Sequence, residues 1–290
     1  MSIAVTHFSD PGCPWAYSIN PALAVLRWRY GDQLDWRLVT VGLTERPEQY
    51  EARGYTPALV AHTYARFRRY GMPFAAEPRA RVPATGRACR AVVATRLRDP
   101  DREWAVFRAL QLAWFNSTLL LDEDDGIVAA LRGVEGLDAS AMVADVDRPE
   151  VVAAYEADKA EARTAAGSPT AFQGKAAQTD GPVRYTAPSL IFSAGDRRLE
   201  AGGFQTVEAY DVLIANLDPT LARQDPPDGP GSLLERFPDG LATQEVAAML
   251  ARGNEAPDRQ AAEDALIDLA GEGRARRRAL GDDALWLAAA

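Results

Sequence analysis

Cysteine and histidine are nearly absent from this chain. Two cysteines, Cys13 and Cys89, and two histidines, His7 and His62, stand among 290 residues. That is too little for a disulfide framework, and the four residues lack metal-ligand spacing, so no metal is expected. A basic n-region and a long apolar stretch are also missing from Met1-Ser2-Ile3-Ala4-Val5-Thr6-His7. No signal peptide or membrane span is expected, and the expected location is the cytoplasm. Positive charge is not in excess. The net charge of −9 argues against a general nucleic-acid or membrane-surface partner. What remains is a globular composition, 47% apolar and 25% charged, in a length that suggests about two domains. Abundant Ala and Arg point to a high-GC bacterium.

Ile3 to Phe8 runs apolar and reads as a buried strand. A Pro-Gly-bearing loop follows, and Pro14 takes the first position of a helix with Cys13 as its N-cap. Ile19, Leu23, Leu26 and Tyr30 recur at helical spacing up to Gly31, with a kink predicted at Pro21. Leu34 to Val41 alternates as a second strand, giving a βαβ unit. From about residue 45 to 166 the patterns are helical: Thr56–Tyr70, Thr85–Leu97, Arg102–Asn116, Asp122–Arg132, Ala139–Ala144 and Pro149–Ala165. Strand character returns at Pro188–Phe192, and Gly195-Asp196 turns the chain into Arg197–Ala201. Thr206 caps a helix to Leu217, and residues 224–231 read as a linker. Beyond it, three helices (Ser232–Phe237, Thr243–Ala251, Pro257–Ala270) and two strands (Arg274–Leu280, Ala284–Leu287) suggest a winged-helix-like α+β domain.

The chemistry concentrates in Asp10-Pro11-Gly12-Cys13-Pro14-Trp15-Ala16-Tyr17. A helix N-terminus presents unpaired N–H groups and a partial positive charge. A thiol placed there can have its pKa lowered from about 8.5 to roughly 3.5–7.5, which makes it a nucleophile. The position three after Cys13, where a redox pair would carry a second cysteine, holds Ala16.

This run after a first strand, the second strand, the long helical insertion and Ala187-Pro188-Ser189 before a hairpin together resemble the DsbA-like thioredoxin-fold proteins. The nearest branch is the cytoplasmic one, with 2-hydroxychromene-2-carboxylate isomerase and kappa-class glutathione transferase relatives. The resemblance covers about residues 2–217. It implies an α/β thioredoxin-like fold with a helical insertion, with domain limits 1–223, 224–231 and 232–290. It implies Cys13 as nucleophile and Pro188 as a cis-proline facing it, which leaves backbone groups of Ala187 for pairing with a bound thiol or peptide. Pro14, Trp15, Ala16, Tyr17 and Ala187 would line the substrate site. Two departures stand out. Ala16 replaces the second cysteine, and Ala84-Thr85-Gly86-Arg87-Ala88-Cys89-Arg90 sets Cys89 where many relatives carry histidine.

Thiol–disulfide exchange needs one thiolate to attack and another to resolve the mixed disulfide. The favoured expectation is a monothiol oxidoreductase using glutathione or mycothiol as cosubstrate, with no tightly bound cofactor. Cys89 is a resolving candidate, set against plain packing on the Ala88, Val92 face. The alternatives are an isomerase or transferase in which the site holds a cofactor thiolate, and a redox-linked binding protein. Partners expected are small-molecule or protein thiols and disulfides, with a second copy of the chain also open. Residues 231–290 carry 11 acidic against 7 basic side chains, the wrong sign for tracking phosphates. His7 reads as a satisfied core histidine and His62 as a surface one. Asp10 reads as a loop acceptor. Trp15 and Tyr17 fit a pocket and an interface equally. Arg66, Arg68, Arg69, Arg79, Arg81, Arg87 and Arg90 read as a solvated face, with an anion-greeting role as the alternative.

Overall fold

A computed structural model of the chain describes residues 2–179, 181–253 and 255–289. The alternation in Ile3–Ser9 (β1) and Leu34–Thr40 (β2) places them side by side and parallel, Val5 opposite Trp36 and His7 opposite Leu38. The helical stretch between them divides into Pro14–Ser18 (α1) and Asn20–Tyr30 (α2), jointed at Ile19. The kink predicted at Pro21 is thus a break just before it. Proline has no N–H to give the preceding turn, which is harmless only at the start of a new helix.

A helical block follows: Glu48–Glu51 (α3), Pro57–Phe67 (α4), Gly86–Arg98 (α5), Glu103–Asn116 (α6), Asp124–Leu131 (α7), Ala139–Ala144 (α8), Pro149–Ala162 (α9) and Pro169–Phe172 (α10). Ala176–Ala177 (β3) pairs with Arg184–Tyr185 (β4). Ser189–Ala194 (β5) then returns antiparallel to β1, and Arg197–Gly202 (β6) completes a sheet of order β2-β1-β5-β6. Val207–Leu217 (α11) is capped by the Thr206 hydroxyl, which accepts from Ala209 N–H. Leu23 and Leu26 of α2 join Tyr210 and Ile214 of α11 in one core with Val5 and Phe192. Phe8, Val39 and Ile191 pack with Ala162 in a second. Among the described residues, no helix is long and apolar enough to cross a membrane.

Toward the C-terminus lie Gly231–Arg236 (α12), Leu241–Ala242 (β7), Thr243–Leu250 (α13), Arg259–Gly271 (α14), Ala275–Leu280 (β8) and Asp283–Ala288 (β9). The strands form a sheet of order β7-β9-β8 around a fully buried Trp286, whose indole donates to Thr243 Oγ1 at 3.0 Å. Val246 and Leu266 pack with Ala24 and Val25 of α2, so this segment rests on the second helix after the cysteine. A buried ion pair ties it to the helical block. Arg108 of α6 donates to both oxygens of Glu245, at 2.8 and 2.7 Å, and to the Gly240 carbonyl. Glu245 also accepts from Ala242 N–H, so the buried charges have several partners.

His7 lies in the core, as expected, but is not satisfied. Neither ring nitrogen has a hydrogen-bond partner, and the ring faces Trp104 and Phe107 at 6.2 and 6.3 Å. Burial, and then the charge of Arg27, lower its pKa to about 3. The unfolded chain, with an ordinary histidine near 6.5, therefore binds the extra proton first, and stability falls as pH drops from 6.5 toward 3. The expected contribution is about 1.4 kcal/mol per pH unit in that window. Denaturant unfolding of His7→Leu should show that slope removed relative to wild type; parallel profiles would contradict the assignment.

Candidate active site

The loop between β1 and α1 is built around one carboxylate. Asp10 is fully buried. Its Oδ1 accepts from Gly12 N–H at 2.9 Å. Its Oδ2 accepts from Leu43 N–H at 2.9 Å, Thr85 Oγ1 at 3.0 Å and Cys89 Sγ at 3.5 Å. Thr85 stands at the head of α5, where its N–H and that of Gly86 donate to the Thr44 carbonyl. Burial raises the Asp10 pKa, against the pull of these hydrogen bonds. Gly12 has no room for a side chain: a Cβ there would lie 2.6 Å from Thr85 Cγ2 and 2.8 Å from the Trp114 ring.

This loop delivers Cys13 to the N-cap of α1 in an extended conformation, with Pro14 opening the helix. The Cys13 N–H donates to Asp10 O and its carbonyl accepts from Tyr17 N–H. The residue is 6% exposed, and its thiol donates to the Ala187 carbonyl at 2.9 Å. The Ala187–Pro188 peptide bond is cis. Cys13, Pro14, Ala187 and Pro188 are thus brought together.

The helix N-terminus does not win the contest over the Cys13 proton. Burial is the largest effect and pushes the thiol up to about 12. The N–H groups of Ala16 and Trp15 and the charge of Arg184 pull the other way, while Asp10 adds to the rise. The expectation of a lowered pKa is therefore corrected: a thiol almost without water cannot offset the lost hydration of its anion with helix-end dipoles alone. Arg184 has no sequence signal of its own, since only the fold sets it near the cysteine.

The side chains of Ala16 and Tyr17 are fully buried, contrary to the expectation that they line the substrate site; of Ala16 only the backbone N–H acts on the Cys13 thiol. Tyr17 stacks on Phe115 at 4.7 Å, and its hydroxyl accepts from Asn116. Trp15, one position before Ala16 on the short helix, stays 39% exposed against Phe67, Tyr70 and Phe204. Cys89 is fully buried among Ala88 and Val92, and its thiol turns to Asp10 while that of Cys13 turns to Ala187. Both cysteines are free thiols.

A cleft of about 360 Å³ opens beside the loop, lined by Gly12, Pro14, Trp15, Tyr50, Arg53 and Arg184. Tyr50 and Arg53 carried no periodicity that marked them beforehand. Most of the helical-block arginines do not greet this cleft. Arg79 is buried on the Trp114 and Leu119 carbonyls. Arg81 pairs with Asp122, Arg87 with Asp124, Arg90 with Asp147 and Arg68 with Asp282. His62 is exposed.

The family model of the DSBA-like thioredoxin domain matches residues 4–187. Among curated proteins none matches the chain. A candidate protein disulfide isomerase from Nitrosomonas europaea superposes with a TM-score of 0.55 at 19% identity, over 74% of this chain and 97% of that one. The cytosolic disulfide reductase DsbM from Pseudomonas aeruginosa, also solved with GSH, gives 0.50 at 17%, over 74% and 98%. A candidate DsbA oxidoreductase from Streptomyces coelicolor gives 0.54 at 18%, over 75% and 91%. At these identities the likeness is one of fold.

With its pKa raised, Cys13 of the resting protein holds less thiolate at neutral pH than an ordinary thiol. Iodoacetamide labelling of Cys89→Ser should climb through pH 9 without a plateau. A plateau near pH 7 would contradict the account of burial given above.

Proposed function

Because the chain belongs to the DSBA-like thioredoxin domain family, a family of thiol–disulfide oxidoreductases, we propose that it is a monothiol oxidoreductase acting through Cys13 with glutathione or mycothiol as cosubstrate. The observation that carries this reading is the 2.9 Å contact between Cys13 Sγ and the carbonyl preceding Pro188, at a helix start with alanine in the resolving position. In the resting state that carbonyl stabilises the protonated thiol. A substrate that pairs with the backbone of Ala187 removes this acceptor. The N–H groups of Trp15 and Ala16 then favour the thiolate.

The thiolate attacks one sulfur of a disulfide. A Cys13–substrate S–S bond forms, the original S–S bond breaks, and the other half leaves as thiolate; the Cys13 proton goes to solvent. A second low-molecular-weight thiolate attacks the mixed disulfide, which frees Cys13 and carries away the substrate half as a new disulfide. Cys89 has no part in either step, since its hydrogen bond serves Asp10. Pro14, Trp15 and Ala187 contact the substrate and Pro188 positions it. Residues 1–223 form the oxidoreductase domain and 224–231 the linker. Residues 232–290 form a winged-helix-like unit that docks on protein rather than nucleic acid. The chain works in a bacterial cytoplasm.

A second reading has its own support. A thiol kept protonated is a hydrogen-bond donor, and together with the N–H groups of Trp15 and Ala16 it suits a bound cofactor thiolate, as in an isomerase or transferase.

Intact mass after incubation with glutathione disulfide at pH 7–9 separates the two. One glutathione adduct is expected on wild type and Cys89→Ser, and none on Cys13→Ser. The absence of an adduct throughout this range, or an adduct on Cys89, would overturn the oxidoreductase reading. A glutathione-dependent isomerisation that survives Cys13→Ser would favour the second.

A further inference from the structure

Arg27 lies on α2 and faces a cavity that shares no residue with the cleft beside Cys13. Its guanidinium carbon stands 3.7 Å from the centroid of the Trp104 ring and 4.9 Å from that of Trp36. These contacts cover its faces and leave the N–H groups at its edge. Among the described residues its guanidinium has no hydrogen bond and no ion pair, and it feels the charge of Asp239 only through space. Its Nε is buried without a partner, and so is Nε1 of Trp36. Buried donors without acceptors are uncommon in folded proteins and call for an explanation.

A cavity of about 270 Å³ supplies one. Arg27, Trp36 and Trp104 line it together with Leu23, and Phe237 and Leu241 of the C-terminal segment form the facing wall. Two further arginines stand in the wall: Arg108 is spent on Glu245, and Arg236 lies 3.9 Å from Asp32. The Arg27 guanidinium keeps an open edge, and its planar fork fits the two oxygens of a carboxylate. Asp239 also lines the space and opposes a second negative charge on any occupant. The remaining wall is largely apolar.

We infer that this cavity is a binding site for a small monocarboxylate with a short apolar body, held by Arg27 and the Trp36 indole N–H. The walls come from both α2 and the segment 237–241, so an occupant fastens the C-terminal segment to the thioredoxin-like part. This site is independent of the chemistry at Cys13.

The test uses the full chain with sodium butyrate, and inorganic phosphate as the dianionic comparator at matched ionic strength. Tryptophan fluorescence reads binding, because Trp36 and Trp104 line the cavity. Butyrate should give a saturable change and raise the unfolding temperature with concentration. Phosphate should bind more weakly. Arg27→Met should weaken butyrate binding by about tenfold or more, the loss of a charge-assisted contact. Should Arg27→Met fail to fold, Trp36→Phe decides through its weaker loss. No saturable response of wild type to butyrate would overturn the inference. So would undiminished binding in the folded variants, or tighter binding of phosphate than butyrate.

Discussion

The carboxylate of Asp10 holds together three segments far apart in sequence. It takes donors from the loop before α1, from the chain leaving β2 and from the start of α5. Leaving such a donor buried and unpaired costs about 1–3 kcal/mol. The cysteine loop has its shape because this acceptor lies beneath it, and Gly12 must be glycine because the same bonds draw Thr85 so close. Placement of Cys13 opposite Ala187 follows from that loop.

The same burial that orders the site sets its chemistry. Water is kept from Cys13, so its charged form is disfavoured, and the Asp10 field adds to the effect. A helix N-terminus and Arg184 oppose them without prevailing. In the proposed mechanism the resting thiol is held in reserve, and its reactivity depends on what occupies the Ala187 carbonyl. A single-cysteine site would thereby gain a selectivity that an exposed, permanently ionised thiol lacks.

Much of the fold was legible because it rests on period and punctuation. Alternation in Leu34 to Val41, the Gly195-Asp196 turn, and the Thr206 cap of a helix ending at Leu217 all describe local preferences that the tertiary structure keeps. The four-residue helices α3 and α10 and the two-residue strands escaped because so few residues show no period. The location of Cys13 at a helix start was readable from Pro14. Its ionisation was not, since that depends on how much water the folded cleft admits. Likewise Ala16 and Tyr17 follow the cysteine in sequence, yet the turn of α1 carries both inward and leaves Trp15 at the surface. The arginines of the helical block looked like one basic face, but their acidic partners come from distant helices and loops, which no local pattern reveals.

A preformed Cys13–glutathione mixed disulfide, purified free of thiol, tests the central claim most directly. Its discharge is followed by intact mass in wild type and Cys89→Ser, with and without added glutathione. The account predicts that the adduct persists in both proteins until glutathione is added and then discharges at the same rate in both. Spontaneous discharge in wild type but not in Cys89→Ser would make Cys89 the resolving thiol and contradict the single-cysteine mechanism.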